Sequence, residues 1–186
     1  MLLGFVPLIV FGVLAGSSVA SVVIALGAAL IVTVIAGFSD LRRGGILTWA
    51  TLVMFSFLFI AVGVLGMTGI LPVMGMLVYA ALAAVTFGSI LVKIPFTLQF
   101  AREMVDRKLW ENPGFIRVNN LMTGVWGGIF VINFILSYLM FAAPHYVGWI
   151  TSPLTYVMLI AGIIYTIWYP AHVQKKHSHV AEHGDT

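Results

Sequence analysis

The sequence predicts an all-α protein, a polytopic transmembrane helix bundle of five or six membrane segments with one cytoplasmic interfacial amphipathic helix. Three observations carry this. First, 61% of the 186 residues are hydrophobic and 8% are charged, against about 45–50% and about 25% in an ordinary soluble domain. A soluble fold of this size would have to expose much of that apolar surface to water, which drives association; lipid solvates it instead. Second, the charges are gathered into three short regions separated by long uncharged runs. Third, every Lys and Arg falls in those three regions, and two spans separate each region from the next.

The elements follow in order, forming one transmembrane domain over residues 1–170. Residues 2–15 are apolar but shorter than the ~20 residues needed to cross a bilayer, and they contain Pro7. This segment is a short tilted helix, a re-entrant segment or an interfacial one. A cleaved signal peptide is disfavoured, because no Lys or Arg precedes Arg42 and a signal peptide carries a basic start. Residues 19–38 form the first run of spanning length, followed by a polar loop with Asp40, Arg42 and Arg43. Residues 46–65 and 70–92 are the next two spans, joined by the neutral turn around Met67. After the central polar stretch, residues 121–143 and 149–169 span, with Trp149, Trp168 and Tyr169 at the levels where aromatic residues anchor helices to the interface. Pro170 is expected to stop the last helix, leaving residues 171–186 as a flexible cytoplasmic tail.

Lys and Arg stay in the cytoplasm. The loop with Arg42 and Arg43, the stretch from Lys93 to Arg117, and the tail with Lys175 and Lys176 therefore fall together on that side. The C-terminus is then cytoplasmic. The side of the N-terminus depends on whether residues 2–15 cross.

The central stretch carries most of the charge. Leu98, Ala101, Val105 and Leu109 recur at helical spacing, with Arg102, Glu103, Asp106 and Arg107 on the other face. The pattern predicts an amphipathic helix over residues 97–110 lying at the interface. It would be supported by Arg102–Asp106 and Glu103–Arg107 pairs of about 0.2–0.5 kcal/mol each and anchored by Trp110. One reading is a connecting element with solvated charges. The other is a docking surface for a partner or for anionic lipid, through Arg102, Glu103, Asp106, Arg107 and Trp110.

Among polar residues inside spans, Asn133 stands out, since an amide in hydrocarbon needs hydrogen-bond partners. It is expected to bond to another helix, for about 0.6–2 kcal/mol, with a role in solute selection as the rival. Asn119 and Asn120 read as helix-capping residues at the mouth of the same span. Small residues such as Gly27, Ala81, Gly124 and Gly127 read as packing positions.

Catalytic chemistry finds little footing. There is no Cys, which excludes disulfides and thiol ligands. No ionisable residue falls well inside a predicted span, which argues against a proton-coupled pump within one protomer. His172, His177, His179 and His183 lack metal-ligand spacing. A lipid-modifying enzyme using Arg102, Glu103 and His145 is weakened because His145 falls on the opposite side of the membrane. No enzyme activity, cofactor or metal is expected, and nucleic acid is excluded as a partner by the weak, interrupted charge.

Three segments resemble a known family: Phe5-Val6-Pro7-Leu8-Ile9-Val10-Phe11, then Pro95-Phe96-Thr97-Leu98-Gln99-Phe100-Ala101-Arg102-Glu103, then Asn119-Asn120-Leu121-Met122-Thr123-Gly124-Val125-Trp126. In these, and in length and helix order, the chain resembles the bacterial intracellular septation protein A family of small inner-membrane proteins. It departs from that pattern in a less basic second loop and in a longer, more acidic central loop. The resemblance implies a non-enzymatic scaffold or accessory role in cell-envelope maintenance or septation, in the bacterial inner membrane. Contacts would be with membrane lipids and with other membrane proteins or further copies of the chain. The alternative is an oligomeric channel or facilitator for an ion or small solute.

Overall fold

The computed structural model describes residues 2–183, with side chains described from residue 4 to residue 172. Among the described residues all regular structure is helical. Five helices are long and apolar enough to cross a membrane: Val19–Ala36, Ile46–Val64, Thr68–Leu91, Pro113–Ala142 and Pro144–His172. The protein is a multi-pass membrane protein.

The segment ahead of these five packs within the bundle. A 3-10 turn at Leu2–Phe5 runs into α1 (Val6–Leu14). Together they rise roughly 20 Å, short of the ~30 Å hydrocarbon thickness. Gly4 lies against Phe100 and Leu47, while Gly12 lies against Tyr156, whose hydroxyl donates to the Gly12 carbonyl at 3.3 Å. The segment thus starts at the end of the bundle that carries the Lys and Arg side chains, here the basic end, and rises toward the neutral end. Pro7 sits in the first turn of α1, where no helical N–H is lost.

A Gly16-Ser17-Ser18 turn leads into α2 (Val19–Ala36), where the Ser18 hydroxyl accepts from the Ser21 N–H. At Gly37 a Cβ would stand 2.6 Å from the Thr48 methyl, so only glycine lets α2 end this close to the next span. The short α3 (Phe38–Arg42) lies along the basic end, and Gly44 turns the chain with φ 74°. The next span is α4 (Ile46–Leu58), continued by a π-helical turn over Phe59–Val64. Gly66, at φ 65°, makes the neutral-end turn. A 3-10 turn at Thr68–Val73 opens α5 (Met74–Leu91).

The central stretch departs from expectation. The interfacial helix predicted over residues 97–110 is only α6 (Phe96–Arg102); a separate 3-10 turn follows at Arg107–Leu109. Its apolar positions explain why. Phe96, Leu98 and Phe100 are buried in the bundle, so α6 packs against the protein and not flat on lipid. Glu103 turns to Arg43, and neither predicted pair along the helix forms.

The following span also begins earlier than predicted. Helix α7 (Pro113–Ala142) starts at Asn112, whose side chain accepts from the Gly114 and Phe115 N–H groups at 2.8 and 3.3 Å. Asn119 and Asn120 therefore lie inside the helix and do not cap it. The last helix, α8 (Pro144–His183), runs through both Pro153 and Pro170. The expected stop at Pro170 does not occur. A helical proline removes one backbone donor, and a break of that size is tolerated in membrane helices when the freed carbonyl finds another partner or water. The tail histidines His177, His179 and His183 lie outside the described side chains.

Trp126 of α7 centres the core. Its ring stacks on Phe5 at 4.4 Å and 20°, packs near Phe130 at 5.6 Å, and its indole N–H donates to the Thr166 hydroxyl of α8 at 2.9 Å. Gly162 permits this contact, since a Cβ there would lie 3.0 Å from the indole. One side chain thus ties the N-terminal segment, α7 and α8 together.

Candidate functional site at the basic end

Where α6 meets α7, buried hydroxyls satisfy one another. The Thr97 hydroxyl donates to the Asn119 carbonyl at 2.8 Å, and its oxygen lies 2.7 Å from the Thr123 hydroxyl, which donates back. The Asn119 side-chain amide donates to the Phe115 carbonyl at 2.9 Å. Gln99 accepts from the Ile46 N–H at 3.0 Å, capping α4 from α6. Ser89 at the end of α5 accepts from the Phe96 N–H at 3.2 Å. These bonds seat α6 against α4, α5 and α7.

On this seat the charged residues form a compact outer layer. Trp110 folds back so that its indole N–H donates to the Arg102 carbonyl at 3.2 Å. The guanidinium groups of Arg102 and Arg107 lie over the same ring, 5.3 and 5.6 Å from its centroid. Each cation–π contact contributes about 0.5–1 kcal/mol at an exposed site. The Asp106 carboxylate accepts from the Lys108 N–H at 3.2 Å, capping the 3-10 turn. Glu103 pairs with Arg43 from the neighbouring loop, joining two basic regions distant in sequence. Arg107, Lys108 and Arg117 remain exposed around this layer.

The five residues singled out in the sequence for contact are therefore brought together, by turns and an aromatic clamp in place of helical spacing. The sequence reading missed Arg43, Thr97 and Thr123. The pair Thr123 and Asn119, four residues apart on one helix, was the available signal.

Asn133 lies elsewhere. It is wholly buried in α7, remote from the basic end, and neither its amide nitrogen nor its carbonyl oxygen has a partner among the described residues. The expected bond to another helix is not made. Asn120 is half-buried on the same helix near the basic end.

The buried polar side chains among the described residues are all Thr, Ser or Asn. Among those residues no three His, Asp or Glu side chains gather as metal ligands do. Fold and site together define a polytopic membrane protein with a structured, positively charged layer on one end. No protein-family model, curated protein or solved structure matches the chain.

Proposed function

We propose that the protein is a non-enzymatic scaffold or accessory subunit of the bacterial inner membrane, with its basic end in the cytoplasm as a docking platform for another envelope protein. The carrying observation is the Trp110 clamp. Two arginines held over one indole, braced by the Arg43–Glu103 pair, make a surface whose cations are fixed in position before any partner arrives. Ordering long side chains in advance lowers the entropic cost of association. Aromatic residues and Arg are also the side chains enriched at interaction surfaces. The orientation follows from the retention of Lys and Arg on the cytoplasmic side, and the envelope role from the resemblance to the septation protein A family.

The channel reading has less support. An oligomeric pore lined by Asn133 needs that side chain on an outer face, and it is 0% exposed within a single protomer.

The test is purification of the full chain in mild detergent, with mass spectrometry of the proteins that accompany it. A stoichiometric membrane partner is expected, and Arg107→Glu should cut its recovery severalfold while the bundle melts as before. Recovery of a homo-oligomer alone, from both wild type and variant, would overturn the docking reading.

A further inference from the structure

On the outer surface α4 and α5 part to leave an apolar groove of about 540 Å³, its walls including Trp49, Val53, Phe57, Leu77, Ala81 and Val85. The small side chains of Ala50 and Ala81 hollow it, and Val53 and Phe57 stand 62% and 60% exposed along it. The groove begins near the basic end at Trp49, three residues into α4, and extends to Phe57. At 1.5 Å per residue that is about 12 Å, close to half of the ~30 Å hydrocarbon core. It therefore ends near the midplane.

The groove itself is apolar, and α3 with its charges lies beyond its Trp49 end. The Trp49 indole donates to the Leu41 carbonyl at 3.0 Å, which holds the ring at the interface and sets α3 beside the groove. Arg42 is the next residue and is exposed; Asp40 lies on the same short helix, and Arg43 is engaged by Glu103. Lys93 is exposed just past the end of α5. Between Asp40 and Arg117 seven Lys and Arg residues face four Asp and Glu residues, so this end is net positive.

We propose that the groove is a binding site for one anionic phospholipid of the leaflet at the basic end. One acyl chain lies between α4 and α5, and the phosphate sits at the level of Trp49 with Arg42 as its nearest cation. The length and the charge favour this occupant. A helix from a second copy could also pack on Ala50 and Ala81, and dissociation of a dimer by Ala81→Phe would reveal it. A lipid of the basic-end leaflet has a chain of matching reach and a head group of opposite charge.

The experiment is native mass spectrometry of the full-length protein, delipidated in detergent and titrated with phosphatidylglycerol or with phosphatidylcholine of the same chains. Wild type should retain one phosphatidylglycerol per protomer in preference to phosphatidylcholine. Ala81→Phe, which fills the groove, should abolish that retention. Arg42→Gln, which removes the cation and its contact with the Phe38 ring 5.5 Å away, should weaken it about fivefold, the worth of one cation at a membrane surface. If Ala81→Phe does not fold, Arg42→Gln and the head-group preference decide the matter. Equal retention of the two lipids, or unchanged retention in Arg42→Gln and in folded Ala81→Phe, would overturn the proposal. So would a dimer that Ala81→Phe dissociates.

Discussion

Replacing Asn133 by Leu should stabilise the protein. The side chain is wholly buried, and its amide nitrogen and carbonyl oxygen are both unpartnered. A buried polar group left unsatisfied costs about 1–3 kcal/mol in soluble proteins. An interhelical bond that Asn133 could make once the helices separate is worth about 0.6–1.7 kcal/mol, and the folded protein forgoes it. Leu branches at Cγ as Asn does but is larger, so part of the gain is lost to repacking. Phe130 and Leu136 are already buried on the same face of α7, and the contacts of Gly75 with Ser137 and of Phe87 with Gly127 bring Val78 and Leu82 of α5 level with it. The expected net gain is about 1 kcal/mol, or about 2–4 °C in melting temperature for a chain of this size. Asn133→Asp should act oppositely, since a carboxylate at this depth costs about 2.5–3.5 kcal/mol. Thermal unfolding of the full chain in detergent, followed by tryptophan fluorescence, reads both. A fall in melting temperature for Asn133→Leu and also for the smaller Asn133→Val would refute this, because it would mean that the amide is hydrogen-bonded in the folded protein.

Two further outcomes test the architecture. Phe5→Ala should cost about 1–3 kcal/mol from its two aromatic contacts, the stack on Trp126 at 4.4 Å and the edge contact with Phe96 at 6.4 Å; an unchanged unfolding midpoint would show that the N-terminal segment is dispensable. Because the chain has no Cys, single-cysteine labelling reports topology without background. A cysteine replacing Lys108 should react only with reagents that reach the cytoplasm and one replacing Met67 with impermeant reagents from outside, and the reverse pattern would invert the proposed orientation.

The spans were legible because lipid leaves a coarse signature. Uncharged runs bounded by Arg43, Lys93 and the neutral turns locate α2, α4 and α5 within a few residues, since only side chains suited to hydrocarbon can fill a crossing helix. Much of the basic end was not legible. Leu98, Ala101, Val105 and Leu109 carry a helical period, yet the helix stops at Arg102. There Trp110 bonds back to the Arg102 carbonyl and Arg43 draws off Glu103, a partner sixty positions away. Local spacing cannot register such a partner. The Asn112-Pro113-Gly114 start of α7 was a local signal, a capping residue followed by proline at the first helical position. Arg117, Asn119 and Asn120 mask it, because polar residues suit a loop as well as the first turns of a helix. The role of Phe5 depended on Trp126, far along the chain, and no periodicity reveals that contact.

The central claim is that the clamped layer at the basic end receives another protein. Its most direct test is photocrosslinking in living cells from a benzophenone amino acid at Met104, which is 77% exposed beside the clamp. A crosslink to one envelope protein is expected, lost when Trp110→Ala releases Arg102 and Arg107. Crosslinks to lipid alone, or a protein crosslink unaffected by Trp110→Ala, would contradict it.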